Sequence, residues 1–197
     1  MPPNADDLRE IKFVRCDTRT SGDVRLAVNG MDAVVHLAAW HSAHNPAVSD
    51  ETIFAVNVDG TFHVLEACRQ SGGIQSIVYA SSMAYGWSSV YGVTKVIGED
   101  LCKTYHEMTG ASIAMLRYHE FIPRPYLEFG AQLLRNGVDR RDVAAATVAS
   151  VKAVLEKRVG LFRTIYGFLE FLKDLKARDE KGIDVIHLKV PSEIPAM

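Results

Sequence analysis

The chain has 197 residues, with 22 Lys plus Arg against 24 Asp plus Glu and a formal net charge of −2. Hydrophobic residues make up 48% and charged residues 23%. This average globular mix excludes global disorder, and the near-neutral, scattered charge provides no footprint for nucleic acid or an anionic membrane.

In chain order, four short apolar runs rich in β-branched residues alternate with longer stretches of helical spacing. The runs are 11–16 (IKFVRC), 33–37 (AVVHL, opening on Ala33), 74–80 (IQSIVYA) and 112–116 (SIAML). Their nearly continuous apolar character predicts strands covered on both faces. A short helix is predicted over 22–29. Phe54, Val58, Phe62, Leu65 and Cys68 then recur every three or four residues, and Gly72-Gly73 closes that helix. A second long helix is predicted from about Tyr91 to Thr109, stopped by Gly110. This alternation argues an α/β domain built on a parallel sheet. In the tail, Leu161, Ile165, Phe168, Leu169, Leu172 and Leu175 make an apolar stripe read as a packed helix. A charged run over 176–181 and a last strand over 183–190 follow.

Cys16, Cys68 and Cys102 lie too far apart for a disulfide framework or a metal site by spacing. The polar, acidic opening lacks the features of a secretory signal, and no apolar run reaches the 18 or more residues of a spanning helix. The expectation is a cytoplasmic protein with no membrane and no nucleic-acid partner.

Tyr91-Gly-Val-Thr-Lys95 places a phenol and an ammonium one helical turn apart. A cation there favours the phenolate, so the pair could abstract a proton from an alcohol. Lys95 could also hold a ribose hydroxyl. Ser81-Ser82 stands at the carboxyl end of the 74–80 run, where open α/β sheets bind ligands, and a hydroxyl there can hydrogen-bond a reacting oxygen. Asp32-Ala-Val-Val-His-Leu-Ala-Ala39 is a strand running into small residues that let a flat ligand approach. His36 inside it reads as a core histidine. His41 and His44 lack the carboxylate or Cys that would complete a metal set, so no metal is expected. Asn57-Val-Asp-Gly-Thr61 sets two poor helix formers inside a helix, a mark of a packing or functional constraint. Arg140 and Arg141 could pair with a substrate phosphate, or simply be solvated.

Cys16-Asp17, DAVVHLAA, NVDGT, VYASSMAYG, YGVTK and DRRDVAAA occur in this order with matching strand–helix context. Together, over roughly residues 11–158, they resemble the extended short-chain dehydrogenase/reductases, the family of NAD-dependent epimerases and dehydratases. The resemblance implies an NAD cofactor, with NADP as the alternative, and a sugar or nucleotide-sugar substrate. Tyr91 would be the base, Lys95 would lower its pKa and bind the nicotinamide ribose, and Ser82, with Ser81 as the alternative, would hydrogen-bond the reacting oxygen. Asp17 would contact the adenine, Leu37, Ala38 and Ala39 would line the cofactor cleft, and Asn57 would order the active-site helix. Arg141 is the candidate substrate contact, and Arg117 opens a stretch that closes over the nicotinamide. A homodimer built on the helices at 49–71 and 91–109 is also implied. A catalytically inactive fragment or degenerate family member acting as a binding or partner protein is the alternative function.

The fold implied is a Rossmann-like parallel sheet with flanking helices, lacking the first βαβ unit, because none of the 14 glycines forms G-x-G-x-x-G or a related turn. The expected division is an incomplete dinucleotide-binding domain over 1–158 and a helix-and-strand appendage over 159–197. Only four residues separate Gly86 from Tyr91, fewer than the family's usual substrate-facing loop.

Overall fold

The computed structural model describes residues 11–41, 47–118, 121–122, 138–164, 177–178 and 184–185. Its elements are α1 (Ser21–Val28), β1 (Val34–His36), α2 (Asp50–Phe54), a π turn (Ala55–Asp59), α3 (Gly60–Gln70), β2 (Ser76–Ser82), α4 (Val90–Thr109) and β3 (Ser112–Tyr118). Then follow β4 (Phe121–Ile122), β5 (Val138–Asp139), α5 (Arg140–Leu155), β6 (Leu161–Thr164), β7 (Ala177–Arg178) and β8 (Asp184–Val185).

The main sheet has the order β1-β2-β3-β6-β8-β7. β1, β2, β3, β6 and β8 pair in parallel, and β7 joins β8 antiparallel. The continuous apolar runs predicted strands buried on both faces, and β2 shows why. Ile77 and Tyr79 point into one core with Val24, Leu65, Cys102 and Met115, whereas Val78 points into a second with Leu116, Val154 and Phe162. Helices α1, α3 and α4 cover the first face and α5 the second. This is the expected α/β Rossmann-like fold.

Three expectations are corrected. Residues 11–16 form no strand, and Ile11, Phe13 and Val14 are exposed. Among the described residues no strand pairs with this run, so no ladder completes it. Second, β2 does not stop before the serines but runs through Ser81 and Ser82, held in register by pairing to Arg117 and Tyr118. Third, Leu161 belongs to strand β6 beside β3, not to a helix. The rest of that stripe lies outside the described residues, as does most of 183–190, of which Asp184–Val185 is strand.

The helix read through Asn57 and Gly60 is continuous in path but changes type, α2 passing into one π turn and then α3. Gly60 is required because a Cβ there would stand 2.7 Å from Thr18 Oγ1. α4 starts on Ser89, whose hydroxyl accepts from Gly92 N at 3.0 Å, and ends on left-handed Gly110. Gly98 lets α4 lie directly on the Tyr79 side chain of β2.

Candidate active site

The carboxyl ends of β1 and β2, the start of α4 and one face of α5 enclose a cavity of about 870 Å³. Its walls include Leu37, Ala39, Ser81, Ser82, Tyr91 and Lys95. Six of the predicted site residues therefore meet at one place, from three separate stretches of chain. Burial raises the Tyr91 phenol above its usual pKa, and the neighbouring Ser82 side chain works against that rise. Ser82 is itself oriented by Ala84 N, which donates to its Oγ at 3.1 Å.

Lys95 is 3% exposed. Its Nζ donates to Ala80 O at 2.8 Å and lies 5.4 Å from the Tyr91 ring centroid and 5.5 Å from that of Tyr79. Burial pulls its pKa down to about 8. Burial is the larger influence on the Tyr91 phenol, and the Lys95 ammonium gives its hydrogen bond to the strand carbonyl.

Asn57, on the π turn, donates from Nδ2 to Trp40 O and Thr94 Oγ1, both at 3.0 Å, and accepts from Trp40 N at 2.8 Å. It therefore ties the segment after β1 to α4, one residue before Lys95. His36 is a core residue, as read. Its Nε2 lies 3.0 Å from Thr61 Oγ1, which donates to Asn57 O, and burial pushes its pKa down to about 4.

Other predicted residues fall elsewhere. The Asp17 carboxylate is held by the Arg19 guanidinium and backbone, which bring its pKa down to about 2, and it does not line the cavity. Ala38 and Asn57 are not in its wall either. Arg141 is exposed on the first turn of α5, whereas Val143, Ala144, Thr147 and Val148 of that helix form the wall. His44 lies outside the described residues. Among the described residues no group of three potential ligands could hold a metal ion, and no helix is long and apolar enough to cross a membrane.

Sequence reasoning missed three contributors. His41 packs tilted against Tyr91, ring centroids 4.3 Å apart, and Trp87 forms cavity wall. The third, Glu99, is fully buried and accepts from Ser81 Oγ at 2.6 Å and from Arg117 at 2.7 and 2.9 Å. Its spacing, four residues beyond Lys95, was a usable signal. Arg117, read as the start of a lid, turns inward to this carboxylate.

The family model for the NAD dependent epimerase/dehydratase family matches residues 1–125. A uronate dehydrogenase of Pseudomonas putida is 29% identical over 141 residues, 64% of this chain and 50% of that protein. A solved UDP-galactose 4-epimerase is 29% identical with a TM-score of 0.58, covering 72% of this chain and 57% of that one. A UDP-glucose 4-epimerase from Brucella ovis, solved in complex with NAD, is 27% identical with a TM-score of 0.50 over 60% of this chain and 41% of its own. The chain thus spans about half the length of the relatives it matches. The ordered motifs, the parallel sheet and the matched model together establish that this chain belongs to the NAD-dependent epimerase/dehydratase family.

Proposed function

We propose that the chain acts as an NAD-dependent oxidoreductase on a hydroxyl of a sugar or nucleotide-sugar, with NADP as the alternative cofactor. The observation that carries this reading is that Ser82, Tyr91 and Lys95 line one cavity at the carboxyl ends of parallel strands, with the Lys95 Nζ 5.4 Å from the Tyr91 ring centroid. The uronate and nucleotide-sugar names of the relatives support the substrate class.

The residues present fit the nicotinamide-ribose end of the cofactor. Lys95 has three N–H donors, one of them used on Ala80 O, and Leu37 and Ala39 leave an apolar wall open beside it. The sequence carries no glycine-rich turn for a pyrophosphate. Asp17 is the adenine-side contact, and Ala38 lines the cofactor cleft with Leu37 and Ala39. When bound, NAD supplies the hydride acceptor. Tyr91 exchanges a proton with the substrate oxygen. Being neutral in the resting site, the phenol is ready to donate, and it becomes a base only as positive charge gathers next to it. Ser82 hydrogen-bonds the same oxygen and the phenolate. Ser81 is engaged with Glu99, which favours Ser82 for this task. Lys95 binds ribose hydroxyls and adds charge, Asn57 holds the helix, and Arg141 meets a charged group of substrate at the cavity rim.

The same reading places the protein in the cytoplasm, supported by its three free thiols. It also assigns a homodimer through the exposed Phe54, Phe62 and Val93 of α2, α3 and α4. We keep 1–158 as the cofactor-binding unit and 159–197 as its appendage.

A fluorescence titration of the purified chain with NADH, followed by substrate turnover, tests the proposal. Micromolar binding and turnover cut by about 10²–10⁴ in Tyr91→Phe are expected. A second reading, a catalytically inactive fragment or a degenerate member acting as a partner protein, is favoured by the exposed Ile11, Phe13 and Val14 side chains. Binding absent at millimolar cofactor would overturn the first reading in favour of this one.

A further inference from the structure

The Glu99 carboxylate is the meeting point of four elements. It stands on α4, is 0% exposed, and receives Ser81 Oγ from the end of β2 at 2.6 Å. Arg117 of β3 donates to both its oxygens, at 2.7 and 2.9 Å, and Arg163 of β6 approaches Oε2 at 3.4 Å. The Arg117 guanidinium also lies 3.5 Å from the centroid of Tyr85, in the turn that links Ser82 to Tyr91. Both halves of the proposed reacting pair are thus tethered to one buried anion.

We infer that Glu99 is a positioning residue for the Ser82–Tyr91–Lys95 centre, locking α4 to the end of β2 and setting a fixed negative charge one helical turn from the Lys95 ammonium. The inference rests on the reading of that centre as the reactive site. Lys95 is faced by Tyr91, Glu99 and Cys102 of its own helix, by Tyr79 of β2 and by His36 of β1. Burial raises the Tyr79, Tyr91 and Cys102 pKa values and lowers that of His36 to about 4. At neutral pH all four are therefore uncharged. Cys102 and Glu99 both oppose the desolvation that draws Lys95 down; with the Cys102 thiol neutral near pH 7, Glu99 is the charged group of the two and favours the ammonium.

The sign of this effect separates a charge-setting role from a packing role. In Glu99→Gln the anion is lost while a hydrogen-bonding side chain of the same shape remains. In Arg163→Gln a cation beside Glu99 is lost, so the negative potential at Lys95 grows. The experiment is ¹⁵N NMR of the lysine Nζ groups across pH, with Lys95 assigned by Lys95→Met. The Lys95 midpoint is expected to fall by about one pH unit in Glu99→Gln and to rise in Arg163→Gln. A midpoint unmoved in both overturns the inference. Should Glu99→Gln lose its cooperative melt, the rise in Arg163→Gln decides alone, and its absence overturns the inference. Glu66→Gln, which breaks a surface pair with Arg69, should leave Lys95 unchanged. In turnover, Glu99→Gln should lower kcat about tenfold with little change in KM. If Tyr91→Phe retains full turnover, the site reading fails, and the Lys95 midpoints still report on Glu99.

Discussion

Ser82 and Tyr91 line one cavity although they belong to different elements, a strand end and the first turn of a helix. The two come together across a connection of only four residues between Gly86 and Tyr91. A compact turn makes this possible: Tyr85 N donates to Ser82 O, Trp87 N to Ala84 O and Ser89 N to Trp87 O. Helix α4 then begins at once on its Ser89 cap. The two adjacent serines consequently do different things, one facing Tyr91 and the other Glu99.

Ser82→Ala and Ser81→Ala should separate those tasks. Ser82→Ala is expected to reduce turnover by about 10²–10³ while leaving the melting temperature nearly unchanged, since its loss is felt at the reacting oxygen. Ser81→Ala leaves a buried carboxylate short of one donor and should cost about 1–3 kcal/mol of stability. Paired kinetics and denaturant unfolding on both variants check this. Equal effects on turnover would show that the serines share one role.

Gly92→Ala is expected to damage the site through backbone. A Cβ there would stand 2.4 Å from Trp87 O and 2.9 Å from Ala84 O. Neither atom can rotate away, so the start of α4 must move, taking Tyr91 with it. Stability should fall by about 2 kcal/mol and kcat more than cofactor affinity, read by thermal melts and steady-state kinetics.

Asn57→Ala removes three hydrogen bonds that tie Trp40 and Thr94 together. A loss of about 2–3 kcal/mol is expected in urea unfolding. Asn57→Asp should rescue little, because a carboxylate keeps the acceptor for Trp40 N but cannot donate to Trp40 O or Thr94.

His36 provides a pH test. Its folded pKa of about 4 lies below the ordinary imidazole value of 6.5, so between those values the unfolded chain binds the extra proton. Stability should be intact above pH 6.5 and decline as pH falls towards 4, by up to about 3 kcal/mol. Denaturant midpoints measured over that range should show the slope in the wild type and a flatter one in His36→Gln. Equal slopes would count against this assignment.

Much of the fold was legible from residue order because its signals are local. Continuous β-branched runs marked β1, β2 and β3, and Gly72-Gly73 and Gly110 marked helix ends. Residues 11–16 carried the same strand signal and failed, since a strand exists only where a neighbouring backbone completes its ladder. Leu161 failed for the opposite reason: its apolar spacing fitted a helix, but the free edge of β3 captured it as β6.

The site divides in the same way. Residue types and intervals in the sequence determined that Tyr91, Lys95, Ser81 and Ser82 were the groups to watch, because a phenol and an amine four residues apart share a helix face wherever that helix lies. Tertiary structure alone decided which serine faces the phenol, that burial raises the Tyr91 pKa, and that Glu99 gathers Ser81, Arg117 and Arg163. Those outcomes depend on distance and desolvation between segments remote in sequence, and no local spacing encodes either.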